Sequence, residues 1–140
     1  MTTTQITDKL KNITNFIGVY PHDKLPIFDK PINKKSSFVI NLDDSDGPGT
    51  HWVAIYGNHY FDSFGIAPST RIKSFMRKIF NLKPNDIHYL SHQIQKMDSN
   101  RCGYYCIYFI KQMNNGKTFN DIVLDDFNMT SLDKNENIIL

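Results

Sequence analysis

The stretch from 102 to 113, CGYYCIYFIKQM, is apolar nearly all the way round until Lys111. A helix with apolar residues on every side has no face to give to water, so it belongs in the middle of a fold. The polar run QIQKMDSNR at 93–101 delivers its amino end, and Asn114-Asn115-Gly116 stops it. At 140 residues the chain suits one compact domain, 1–140, with no room for a second core of comparable size.

The other elements are read around that helix. Ile6, Leu10 and Ile13 recur at i, i+4, i+7 and predict a short amphipathic helix with Thr4 as its cap. From 16 to 35, Gly18, Pro21, Pro26 and Pro31 favour an irregular surface segment. SFVINL at 37–42 reads as a strand followed by the turn-rich DDSDGPGT. HWVAIY at 51–56 and HYFD at 59–62 form a hairpin about Gly57-Asn58. Ser69 caps a helix whose apolar stripe is Ile72, Phe75, Met76, Ile79 and Phe80. IHYL at 87–90 is a further strand, 118–127 a last short helix, and the tail beyond it carries little signal. The expected class is α+β, a mainly antiparallel sheet packed against the central buried helix.

Composition excludes several functions. No apolar run approaches the roughly 20 residues of a membrane span, and MTTTQITDKLK lacks the apolar core of a signal peptide. The expectation is an intracellular protein that is not secreted and does not engage membranes. Two cysteines are too few for a disulfide framework or a structural zinc site, so no metal is expected. The net charge of +2 divides into a basic stretch, Arg71, Lys73, Arg77, Lys78 and Lys83, and an acidic end, Asp121, Asp125, Asp126, Asp133 and Glu136.

Cys102 opens the apolar helix, where backbone N–H groups and the helix dipole favour a thiolate and Arg101 adds a positive charge. Gly103 leaves space for a substrate backbone to approach the sulfur, and Cys106, one turn on, reads as a small core residue. Taken alone, Cys102 reads more readily as a buried structural cysteine. A cysteine nucleophile needs a base and the base an orienter. With Gly57-Asn58 as the turn, Asp62 lies across from Val53, so His51 and Asp62 share a face as diagonal neighbours. An oxyanion could be held by the Cys102 N–H and an amide from the preceding loop, Gln95 or Gln93. His22, His59, His88 and His92 read as solvated histidines.

Gly49-Thr50-His51-Trp52, then Tyr60-Phe61-Asp62-Ser63-Phe64-Gly65, then Gln95 ahead of Cys102-Gly103-Tyr104-Tyr105-Cys106, together resemble adenain, the adenovirus-type maturation protease, and its relatives in virophages and Polinton-type elements. Gly18-Val19-Tyr20 and Leu25-Pro26 extend the likeness. The same clan includes the ubiquitin-like-protein-specific proteases. The resemblance implies a papain-like fold in permuted order, with His51 as general base, Asp62 its orienter, Cys102 the nucleophile, Gln95 an oxyanion donor, and Trp52 packed beside the histidine to shield the site. Adenain has a glutamate where this chain has Asp62, a departure toward the ubiquitin-like branch.

By the same resemblance the substrates are capsid and core precursor polypeptides, and the places of action are the virus factory, in host cytoplasm or nucleus, and the virion. A monomer is expected. No cofactor is required, while DNA and an activating peptide are candidates; Arg71, Lys73, Arg77 and Lys78 could touch phosphates weakly, against the plainer reading of a solvated helix face. The alternatives are a deubiquitinating or deSUMOylating isopeptidase and, from another class, a non-catalytic binding module.

Overall fold

The computed structural model describes residues 1–43 and 51–140. The helices are α1 (Thr3–Leu10), α2 (Thr70–Phe80), α3 (Cys102–Asn114) and α4 (Leu132–Ile138). The strands are β1 (Phe16–Pro21), β2 (Ser37–Asn41), β3 (Trp52–Tyr56), β4 (His59–Phe61) and β5 (His88–Tyr89). They form one sheet in the order β1-β2-β3-β4-β5.

The two central pairings, β2 with β3 and β3 with β4, are antiparallel, but β1 runs parallel to β2 and β5 parallel to β4. The sheet is therefore mixed rather than mainly antiparallel. Parallel neighbours need a long connection, and the proline-bearing segment 22–36 supplies it between β1 and β2. The start of the segment expected to be irregular is thus an edge strand. Its pairing slips between Phe16 and Gly18, and Pro21 is tolerated at its end because an edge strand can spare an N–H.

Both faces of β2 and β3 are buried, and every residue of the two strands is in the interior. Val39, Trp52, Ala54 and Phe61 pack with α1 and α3 on one side, while Phe38, Ile40, Val53, Ile55 and Tyr60 pack with α2 on the other. Two-sided burial is why these strands read as continuous apolar runs. Phe61 stacks on Phe109 of α3 at 4.5 Å and 6°, an aromatic pair worth about 0.5–1.5 kcal/mol beyond the area it buries.

Several ends differ from expectation for local reasons. The cap of α1 is Thr2, not Thr4, because Gln5 closes a capping box on it: Gln5 N–H donates to Thr2 Oγ1 at 3.1 Å and Thr2 N–H to Gln5 Oε1 at 2.8 Å. Ser69 caps α2 as expected, accepting from Ile72 N–H. The last short helix is a wide π-type turn, Asp121–Asp126, and the tail holds a helix of its own, α4. Apart from Asp43, the turn-rich stretch 43–50, with Gly49 and Thr50, lies outside the described residues.

Candidate active site

The β3–β4 hairpin presents His51 and Asp62, the expected base and orienter. Ala54 pairs with Phe61, Ile55 with Tyr60 and Tyr56 with His59, a register that sets Asp62 opposite Val53 when continued by one residue. His51 and Asp62 flank the ends of these strands, and His51 Nε2 donates to Asp62 Oδ1 at 2.9 Å. Phe64 N–H donates to the same oxygen at 2.9 Å, and the Phe64 ring stacks on the imidazole with centroids 4.8 Å apart. Asp62 is 1% exposed, so this ion pair is shielded from bulk water.

Helix α3 brings Cys102 to the other ring edge. With Nε2 committed to Asp62, Nδ1 is buried without a hydrogen bond to another nitrogen or oxygen, and the Cys102 thiol is the side chain that hydrogen-bonds the imidazole. Burial pushes the Cys102 pKa up. The His51 hydrogen bond and charge, with the backbone N–H groups of Trp52 and Gly103, outweigh that and hold it below its ordinary value of 9.0. Burial pulls His51 down, yet hydrogen bonds and charge from Asp62 and Cys102 raise it from 6.5 to about 9. A thiol held down beside an imidazole held up favours an imidazolium facing a thiolate, the reactive form of cysteine. Cys106 is fully buried, burial pushes its thiol well above 9.0, and the two sulfurs share no disulfide.

Gln95 is fully buried. Its Oε1 accepts from the Ser63 hydroxyl at 2.5 Å, its Nε2 donates to the Ser99 carbonyl at 3.0 Å and approaches Ser99 Oγ at 3.2 Å, and its N–H donates to the Ser63 carbonyl at 3.0 Å. Ser99 Oγ also accepts from the N–H of Arg101, the residue that caps α3. The amide is thus tied into the turn that delivers Cys102. Gln93 is committed elsewhere, donating to the Gln95 carbonyl at 2.8 Å.

Two expectations change. The space over Gly103 is filled by Met1: a Cβ at Gly103 would lie 2.9 Å from the Met1 sulfur, so the missing side chain seats the amino end of the chain rather than leaving an open approach. Trp52 is 4% exposed and packs in the same core as Cys102, but it also acts on the sulfur through its backbone N–H, which no side-chain pattern can signal. Ser63, Ser99 and Phe64 were likewise not predicted to have a role; Ser63 and Phe64 follow the acid directly, and that adjacency was the available clue.

The basic residues of α2 are not brought to Cys102. Helix α2 covers the opposite face of the sheet from α3. At about 100° per residue, Arg71 and Lys78 fall on one flank of its buried stripe and Lys73 and Arg77 on the other. All four are exposed.

No family model matches the chain. The candidate thiol protease R355 of Acanthamoeba polyphaga mimivirus is 30% identical over 129 residues, covering 84% of this chain and 41% of R355. The crystal structure of the ASFV pS273R protease superposes with a TM-score of 0.65 at 17% identity, covering 88% of this chain and 60% of that one. A selenomethionine crystal structure of the same protease gives a TM-score of 0.49 at 24% identity, over 64% of this chain and 38% of the other. The chain thus spans about two-fifths of the length of R355 and three-fifths of pS273R. It shares its α+β fold with the ASFV pS273R protease, and its sequence resembles a viral candidate thiol protease.

Proposed function

We propose that the chain is a viral cysteine endopeptidase acting through Cys102, His51 and Asp62. The observation that carries this reading is the paired shift at one hydrogen-bonded site: His51 raised to about 9 against Asp62, and Cys102 lowered against His51. A structural cysteine buried in apolar surroundings would move the other way, as Cys106 does.

In this mechanism the Cys102 thiolate attacks the scissile carbonyl, and the carbonyl oxygen gains the negative charge. Backbone N–H groups at the start of α3 and one Gln95 amide proton stabilise it, the longer contact to Ser99 Oγ being the one exchanged for the oxyanion. His51 passes its proton to the leaving amine, and Asp62 stabilises the imidazolium meanwhile. Water, deprotonated by His51, then hydrolyses the thioester and returns Cys102.

The substrates in this reading are capsid and core precursor polypeptides of the same element, processed in the virus factory or virion by an adenain-like monomer. Incubating such precursors with the purified chain and with Cys102→Ala tests it: wild type cuts and the variant does not, and retained cleavage by Cys102→Ala would sink the assignment. Asp62, where adenain has glutamate, favours a second reading, an isopeptidase acting on ubiquitin or a related modifier. Rapid labelling of Cys102 by a modifier vinyl sulfone would select it.

A further inference from the structure

Helix α4 buries a single residue, and that residue is an amide, Asn135, fully enclosed. No apolar residue within the helix is buried, and its apolar anchor is the C-cap residue Ile139 in the core, so the body of the helix is docked by hydrogen bonds. Asn135 Nδ2 donates to the Asn128 carbonyl at 2.7 Å and to the Ile94 carbonyl at 2.8 Å, and Oδ1 accepts from Asn128 N–H at 2.6 Å. The Ile94 carbonyl and the Gln95 N–H belong to one peptide group. That N–H donates to the Ser63 carbonyl at 3.0 Å. The peptide plane from which the Gln95 side chain departs is therefore clamped at both ends, by the acid-bearing strand on one side and by α4 on the other. Lys96 adds an exposed ion pair to Asp133 of α4 at 2.7 Å.

We infer that Asn135 is a positioning residue for Gln95, making α4 a working part of the oxyanion side of the site. This rests on the peptidase reading above. It separates two properties: thiolate formation depends on His51, Asp62 and backbone N–H groups and owes nothing to Asn135, whereas stabilisation of a tetrahedral oxyanion depends on where Gln95 sits.

The test uses the full chain with Asn135→Ala, Gln95→Ala and the double variant. Two quantities are read: the rate and pH dependence of Cys102 alkylation by iodoacetamide, and the protection from alkylation given by a tripeptide aldehyde ending in glycinal, whose hemithioacetal carries the oxyanion. For Asn135→Ala, alkylation is expected to be unchanged while aldehyde affinity falls roughly 10- to 100-fold. The double variant is expected to be no weaker than Gln95→Ala alone, because both changes disable the same donor. Asn135→Asp keeps the acceptor for Asn128 N–H and removes the donors to both the Ile94 and Asn128 carbonyls, so it answers the same question if Asn135→Ala does not fold. Unchanged aldehyde affinity, losses that multiply in the double variant, or a parallel loss of alkylation would each overturn the inference. Wild-type Cys102 alkylating no faster than a free cysteine would instead sink the peptidase reading, and this inference with it.

Discussion

Ser63 holds Gln95 twice, donating its hydroxyl to Oε1 at 2.5 Å and accepting the Gln95 N–H on its carbonyl at 3.0 Å. Because Ser63 directly follows Asp62, the proposed orienter of the base and the anchor of the amide are chain neighbours. Ser63→Ala leaves Oε1 buried without its donor, which costs about 1–3 kcal/mol. The expected result is a lower denaturant midpoint of that size together with a fall in kcat larger than any rise in KM.

The charge state of the pair sets a pH window. His51 is raised above its ordinary 6.5, so its contribution to stability is whole below 6.5 and fades as pH rises through about 9. In the proposed mechanism the imidazolium protonates the leaving amine, so the alkaline limb of kcat/KM is expected near 9. Asp62→Asn removes the charge, and weakens the charge-assisted hydrogen bond, that hold His51 up. The limb then moves to lower pH, and kcat/KM drops roughly 100-fold or more. A pH profile whose alkaline limb stays in place in Asp62→Asn would contradict the assignment.

Gly65 has φ +76°, and a Cβ there would lie 2.4 Å from the His92 carbonyl carbon and 2.6 Å from its oxygen. The left-handed backbone alone costs a side chain roughly 1–2 kcal/mol, and the neighbour in the way is main chain that cannot swing aside. Gly65→Ala is expected to destabilise by at least about 2 kcal/mol and to displace the 92–95 turn. Thermal unfolding gives the first effect, and loss of aldehyde protection at Cys102 gives the second.

If α2 meets DNA, its geometry limits the contact. With Arg71 and Lys78 on one flank and Lys73 and Arg77 on the other, a duplex lying along one flank meets one pair. The logarithm of affinity against the logarithm of salt is then expected to fall with a slope no steeper than about −1.8, the value for two phosphates. A fluorescence-anisotropy salt titration measures it, and a steeper slope would mean that basic residues outside α2 contribute.

What could be read from sequence followed from strong local patterns. The Gly57-Asn58 turn fixed the hairpin register, and with it the meeting of His51 and Asp62; the all-round apolar run located Cys102 at a helix start. Gly18 and Pro21 hid β1, because turn-forming residues mask a strand whose edge position lets it keep them. Helix α4 was invisible since its buried residue is an asparagine, which carries no apolar period. The partners of Gln95 were missed for a related reason. Ser63, Ser99 and Asn135 come from three separate parts of the chain, and only the folded topology brings the first two to the Gln95 side-chain amide and the third to the peptide group ahead of it.

Met1 against Gly103 has a practical corollary. The Met1 side chain occupies the space beside the start of α3, so the size of that one side chain sets how the helix start is packed. Met1→Ala vacates the space and Met1→Leu keeps it filled. A difference in turnover between these two variants is the expected sign that packing over Gly103 is felt at the neighbouring thiol.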